Sequence, residues 1–386
     1  LVVDDAPWIF FDTDAFSVAL DANKEARSII RKQSEKLGRD IEAGEWPILA
    51  YFTGKFEILA AETSLGRISV QHRPSSGLGG PRGISIDNTI VLRIELANPL
   101  AIRESFDSVH SVMRFLQLVA GRRQNLTSLR AIVGEGRGAK HFDVLWCMAS
   151  KRIEDTEQPR PDLPVNGGLE PKEFSQVISG WLNRDEKYRD ARVRFAEAFS
   201  LARSYSTDRL ISAANMFDIL PEDCFETRQD FDQTLEIARD NARVLFKALP
   251  PSDIRNEALG ALGRLNKQNL KSKVLGRAEP IIELGEERFK DLCQVLRDAV
   301  DSRNHFVHGH AASSELAAFY WDNLAFHVDA LEFVFGTSDL VEAGWDFRGW
   351  LSKRSSLSHP FGGFVFDYRM KIADYLKDRS RARMDK

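Results

Sequence analysis

Along the first 150 residues, apolar and polar positions alternate in short runs. The 68–71 run Ile68-Ser69-Val70-Gln71, the 84–86 run Ile84-Ser85-Ile86 and most of 91–96 follow a period of two, which predicts strands. Between the first two runs, 74–81 is built from proline, serine and glycine and reads as a loop. From Ile102 to Ala120 the period lengthens. Phe106, Val109, Met113, Leu116 and Ala120 mark one face of a helix that Gly121 closes. The 131–133 and 142–146 runs are expected to add strands.

The 159–171 stretch holds four prolines and the pair Gly167-Gly168, so neither a helix nor a central strand is expected there, and it is read as a linker. Beyond it the helical period dominates. Helices are expected over 174–182 and 186–201, then over 206–220 with Leu210, Ala214 and Phe217 inward and a stop at Pro221. The 228–249 segment repeats the spacing with Phe231, Leu235, Ala238, Ala242 and Leu245, and ends before Pro250-Pro251. A long helix is expected over 286–308. Another is expected over 314–335, with Leu316, Phe319, Leu324, Val328 and Leu331 inward and Gly336 at its C-terminus. The aromatic-rich tail, from Trp345 to Tyr368, is expected to fold back on this domain. The fold class is therefore α+β. A mixed α/β domain at 1–158 and the linker at 159–171 precede an all-α bundle at 172–386, since long amphipathic helices with no strands between them make bundles.

Composition narrows the function. A chain of 386 residues fits two domains, and its 43% apolar share can fill two cores. The net charge of −4 provides no overall basic field, so a nucleic-acid contact would need a local patch. Cys147, Cys224 and Cys293 lie far apart with no CxxC pair, which fits a reducing cytoplasm and argues against a zinc ribbon. No apolar run approaches the roughly 20 residues of a membrane span, and no membrane association is expected. The start, Leu1-Val2-Val3-Asp4-Asp5, has neither a methionine nor a basic n-region, so a longer natural N-terminus is expected.

One helix breaks its own pattern. The apolar stripe Phe289, Leu292, Leu296 and Val300 continues in register to Arg303 and Val307. A guanidinium in that register must be paired or must face a cleft, because burying it alone is costly. Asn304 and His308, four residues apart, share the adjacent face. Arg303 and His308 differ by about 140° on an ideal helix, so both can border one groove without stacking. Gly309 suits a helix that ends just after the histidine.

The wording Arg303-Asn304-His305-Phe306-Val307-His308-Gly309 resembles the R-x4-6-H signature of the HEPN superfamily, and within it the Apea-like HEPN branch associated with bacterial anti-phage defence. The strand segment Ile94-Glu95-Leu96 and the helix segment Phe115-Leu116-Gln117-Leu118 are similar to the N-terminal domain that accompanies that branch. The resemblance implies a metal-independent endoribonuclease in which the 2′-hydroxyl attacks the adjacent phosphate. Arg303, Asn304 and His308 would be catalytic, no cofactor would be needed, and RNA would be the substrate. It also implies a homodimer through the HEPN domain with a composite site, and an N-terminal domain that senses a phage-derived trigger or restrains the nuclease. The residue types suit the chemistry. Imidazole exchanges protons near neutral pH, and a guanidinium offers two donors to a phosphate. Many members carry an acidic residue on an earlier helix facing the motif. Here Asn215 stands where glutamate is expected, so either Asn215 or Asp218 is the supporting polar group, with His305 as another.

Other readings compete. His305, His308 and His310 cluster, but no carboxylate or cysteine nearby completes a metal site, and no metal is expected. Lys267, Lys271, Lys273 and Arg277 form a basic stretch that is either a solvated face or an RNA groove. The 134–138 stretch Gly-Glu-Gly-Arg-Gly lacks the lysine and helix of a phosphate loop. His110 and His141 are expected to be ordinary polar residues. The alternative function is a catalytically inactive HEPN module acting as a dimerisation and RNA- or protein-binding scaffold.

Overall fold

The computed structural model describes residues 1–19, 22–81, 83–134, 136–145, 163–202, 204–225, 232–265, 267–309, 313–353 and 357–384. Cys147, Phe231, His310, the end of the 142–146 run and the start of the 159–171 stretch lie outside the described residues. The chain divides into two compact units. One comprises Leu1–Ala120 with Gln124–Asn183, the other Gly121–Arg123 with Arg184–Lys386.

In the first unit, β1 (Val2–Val3), α1 (Ala6–Ile9), β2 (Phe16–Ala19), α2 (Asn23–Leu37) and β3 (Leu49–Phe52) precede an antiparallel sheet. That sheet is β4 (Glu57–Thr63), β5 (Gly66–Gly80) and β6 (Gly83–Leu96), in the order β4-β5-β6. Ile68, Val70, Ile90 and Leu92 are buried as the sequence alternation predicts, and Ser69 between the first two is buried as well. The tight β4–β5 turn requires Gly66. Its φ is +116°, and a Cβ there would lie 2.1 Å from the Glu95 carbonyl oxygen. The Pro/Ser/Gly stretch expected as a loop is instead strand, pairing Pro74 with Asn88 and Ser76 with Ile86. Beyond His72, whose N–H still reaches the Phe56 carbonyl, the central strand has no second strand partner among the described residues, so a residue without an N–H is tolerated there.

Helix α3 (Ile102–Ala120) spans the expected residues. β7 (Leu126–Ser128) pairs with β1, and β8 (Arg130–Val133) pairs with β9 (Lys140–Asp143). The described part of the Pro/Gly-rich stretch is seated rather than free. Leu163 and Val165 are buried, and Gly167 and Gly168 donate to the Ile9 carbonyl. Helix α4 (Pro171–Asn183), read from the sequence as the start of the bundle, packs in the first unit. Its Phe174 meets Phe10 and Phe115 at 4.9 and 5.5 Å, Trp181 meets Phe115, and Ser179 donates to Glu62 in β4. An amphipathic face settles where apolar neighbours are available, and periodicity alone does not specify them.

The second unit is helical among its described residues. It contains α5 (Asp185–Phe199), α6 (Thr207–Asp218), α7 (Gln233–Ala248), α8 (Asp253–Arg264), α9 (Leu270–Gly285), α10 (Leu292–His308), α11 (Ser314–Asp322), α12 (Leu324–Glu342), α13 (Phe347–Ser352) and α14 (Pro360–Met384). Ser206, Asp232, Ser252, Asn269 and Ser313 each cap a helix by accepting a backbone N–H.

Several expected boundaries shift. The 286–308 helix begins at Leu292 after a 3-10 turn at Glu286–Phe289, where Glu286 has a φ of 53°. The 314–335 helix is broken at Asn323, and its second half runs past Gly336 to Glu342. Gly336 is buried in mid-helix, where packing outweighs a propensity cost of about 1 kcal/mol relative to alanine.

Helix α12 is the buried axis of the bundle. Its acids Glu332, Asp339 and Glu342 are matched by arginines from surrounding helices, and Asp329 accepts from the Tyr205 hydroxyl. Glu332 takes both 2.8 Å bonds from Arg209, and Asp339 takes two at 2.8 Å from Arg192. The aromatic tail packs back as expected, with Phe361 and Phe364 against Phe333. Helix α7, expected to bury its stripe in the bundle, buries no residue, and neither does α8.

Candidate active site

The last turns of α10 carry the anomalous arginine. Leu292, Val295, Leu296, Ala299 and Val300 are buried, and Arg303 follows them half-buried rather than in open water. Its Nη2 donates to Asn215 Oδ1 on α6 at 2.8 Å, and its Nη1 donates to Asn304 Oδ1 at 3.0 Å. Among the described residues its buried Nε has no hydrogen-bond partner. Both acceptors are neutral amides. Among the described residues no carboxylate lies within ion-pair distance of this guanidinium, so its charge is oriented but not compensated by protein.

Of the two supporting groups left open by the sequence, the structure brings Asn215 to the motif. Asp218, one turn on, is exposed and turned to Lys273 at 3.1 Å. His308 is the last residue of α10 and is exposed. Gly309 adopts the left-handed conformation (φ 62°) and its N–H bonds to the His305 carbonyl, ending the helix where the sequence placed the stop. His305 is half-buried, with its ring centroid 5.6 Å from Tyr320 and 5.2 Å from Phe306. Phe306 in turn packs edge-on against Trp321 at 4.8 Å. Val307, expected on the stripe, is exposed. Helix α11 thus adds an aromatic wall beside the motif that no sequence pattern announced.

The basic stretch on α9 is redistributed. Arg277 is buried against Glu342 and Ser338, and Lys273 is buried with its ammonium on the Asp218 carbonyl and carboxylate. Neither is available as an RNA contact, because their i, i+4 positions lie on the inward face with Val274, Ala278 and Ile281. Lys267 pairs with Glu222 at 2.6 Å on the surface, and Lys271 pairs with Asp301 of α10 at 2.7 Å.

Behind the motif, α10 is fixed by a buried network centred on Asp298, which is wholly buried. Its Oδ2 accepts from Arg379 Nε at 2.6 Å and from the Tyr375 hydroxyl at 3.1 Å, and its Oδ1 accepts from Arg383 Nη2 at 2.7 Å. His327 Nε2, on α12, lies 2.9 Å from the same hydroxyl. Burial pushes the His327 pKa down to about 3, so it is neutral. Three side chains of α14 therefore converge on one carboxylate two turns before His305, and α12 joins the network through His327 and the Tyr375 hydroxyl.

The first unit contains a second cluster that periodicity did not reveal. His72 is buried between Phe16 and Phe52, 3.0 Å from Asn88 and 3.7 Å from Asp12, which Lys55 also holds. Desolvation lowers the His72 pKa. Among the described residues no three of His, Cys, Asp and Glu converge as metal ligands, and no helix is long and apolar enough to cross a membrane.

The second unit is thus a helical bundle in which Arg303, Asn304 and His308 end α10, and the first is an α+β unit. Residues 211–347 match the family described as Apea-like HEPN, and residues 30–181 match the family described as ApeA N-terminal domain 1. The chain thus pairs an ApeA-type N-terminal domain with an Apea-like HEPN domain. The first match ends inside α4, in keeping with the packing of that helix in the first unit. No curated protein and no solved structure matches the chain.

Proposed function

We propose that this protein is a metal-independent endoribonuclease of anti-phage defence, acting on RNA in the cytoplasm. The observation that supports the reading most is Arg303, a half-buried guanidinium held by two neutral amides. An uncompensated buried charge is costly, and a phosphate supplies the missing counter-charge. In this reading Arg303 binds a non-bridging phosphate oxygen and stabilises charge as it develops there, and Asn215 and Asn304 aim it. His308 takes the proton of the 2′-hydroxyl as the O2′–P bond forms. The P–O5′ bond breaks, and the leaving O5′ is protonated by the imidazolium of the second copy in a two-fold cleft. The products are a 2′,3′-cyclic phosphate and a 5′-hydroxyl. The first unit senses the trigger, a phage-derived component.

A neutral Asn215 where a carboxylate was expected favours one other reading, an inactive scaffold that binds RNA or protein. Incubation of the purified chain with cellular RNA, with and without chelator, separates the two. Cleavage that survives chelator and is lost in His308→Ala is expected. Equal cleavage by wild type and His308→Ala overturns the assignment, and RNA binding without cleavage supports the scaffold.

A further inference from the structure

The outer side of α10 carries a line of its own. Arg297, Asp301, Asn304 and His308 recur at i, i+4, i+7 and i+11, within an arc of about 60°, and run for about 16 Å to the helix end. Leu292, Val295 and Ala299 face the other way, into the bundle. Two members of the line, Asn304 and His308, belong to the motif. Arg297 is exposed, and among the described residues it makes no ion pair.

Asp301 lies between them, and two other helices each send a cation to it. Lys271 of α9 reaches one carboxylate oxygen at 2.7 Å, and Arg383 of α14 approaches the other at 3.6 Å. Both cations keep 37% of their side-chain exposure, so each also faces solvent. The Nε of Arg383 is buried and has no hydrogen-bond partner among the described residues. Asp298, buried beneath, is already matched by Arg379 at 2.6 Å. With the uncompensated Arg303 one residue before Asn304, Lys271, Arg297 and Arg383 therefore stand against a single surface carboxylate. The chain as a whole has a net charge of −4, yet this end of α10 holds a local excess of positive charge.

Exposed cations on a helix are ordinarily solvated, and two features set these apart. Their like charges are gathered around one acid, which offsets only part of their repulsion. They also continue, in register, the line that ends in His308. Of the basic residues on and just before α9, Lys271 is the one paired with α10, whereas Lys267, Lys273 and Arg277 are turned to Glu222, Asp218 and Glu342. A polyanion laid along the line has about five phosphates over its length, at roughly 3.4 Å per stacked nucleotide. The line ends on the groups that hold a phosphate in the reading above, which favours a nucleic-acid backbone over an acidic protein.

We propose that Lys271, Arg297 and Arg383 form a phosphate-binding track that grips the RNA backbone beside the scissile phosphate, towards the start of α10. They are positioning residues that take no part in making or breaking bonds. The track rests on the ribonuclease reading and extends it to residues outside the motif.

The test uses the full chain in the His308→Ala background, so that RNA is bound without being cut. Arg297→Gln and Lys271→Gln are combined, and Arg383 is left native because it also holds Asp298. Arg348→Gln is the control, an exposed cation paired with Glu286 before the start of α10. Melting temperatures should match the parent. Fluorescence anisotropy of a labelled oligouridylate gives Kd over a salt series. Each contact with a single-strand phosphate contributes about 0.7 to the slope of log K against log salt, or about 5-fold in affinity between 1 M and 0.1 M. The double variant should therefore bind about 25-fold more weakly at about 0.1 M salt, with a slope shallower by about 1.4, while the control matches the parent. With His308 restored, the same pair should raise KM and leave kcat unchanged, as loss of uniform binding does, whereas a structural role would lower the melting temperature. A double variant with the parent's affinity and slope overturns the track and leaves the nuclease reading standing. A control that weakens as much as the double variant does the same. A parent that binds polyglutamate but not the oligouridylate overturns the track in favour of an acidic-protein surface. Wild type that neither binds nor cuts RNA overturns both readings.

Discussion

Asp298 gives the most quantitative test of how the motif helix is held. Replacing it with alanine leaves the guanidiniums of Arg379 and Arg383 and the Tyr375 hydroxyl without their shared acceptor. Breaking a buried ion pair from one side costs about 3–5 kcal/mol, because the orphaned charge remains. Here Arg379 and Arg383 keep 20% and 37% of their side-chain exposure and can recover some hydration, so the lower end, about 3 kcal/mol, applies. For a unit of this size each kcal/mol lowers Tm by about 2–4 °C, so a fall of roughly 6–12 °C is expected. Asp298→Asn keeps an acceptor but loses the charge, and should fall less. Thermal melts monitored by circular dichroism measure both. Limited trypsin digestion gives a second readout, since α14 should be cut faster between Lys377 and Arg383 once its anchor is gone. If Asp298→Ala melts within about 2 °C of wild type, as an ordinary surface substitution would, the network does not anchor α10 and the reasoning fails.

Arg303→Lys should lose most RNA cleavage despite keeping the charge, because an ammonium cannot use both amides and a phosphate in one plane; cleavage at the wild-type rate refutes the role given to the guanidinium. Loss of the proton-transfer group in His308→Ala should cost on the order of 10² to 10⁴ in rate with an unchanged melting temperature. A substrate with deoxyribose at the scissile nucleotide should resist cleavage, and cutting there would rule out 2′-hydroxyl attack. The buried His327 predicts a pH effect. Its folded pKa of about 3 lies below the roughly 6.5 of an unfolded histidine, so its contribution is complete above pH 6.5 and is lost as pH falls towards 3. Relative to His327→Gln, wild type should therefore lose up to about 1.4 kcal/mol of stability per pH unit below 6.5. A wild-type-to-variant difference that stays constant from neutral to acid pH would contradict this.

What the sequence determined by itself is local and periodic. The α3 helix, the alternation in β5 and β6 and the stop after His308 all follow from spacing and from residues with one conformational preference. The motif was legible for the same reason, since an arginine at 303 violates a stripe that five buried residues otherwise obey. Tertiary structure decided which neighbour each face meets. Periodicity marks a face as apolar without saying what covers it. Helix α4 thus packed with the sheet unit, α9 turned Lys273 and Arg277 inward to meet acids on other elements, and the α7 stripe stayed bare. The 74–80 segment became strand because β6 offered a partner with one edge left open, which composition alone does not reveal. The choice of Asn215 over Asp218, and the convergence of Tyr375, Arg379 and Arg383 on Asp298, join residues 77 to 88 positions apart. Such contacts are set by the packing of whole helices, which no local pattern encodes.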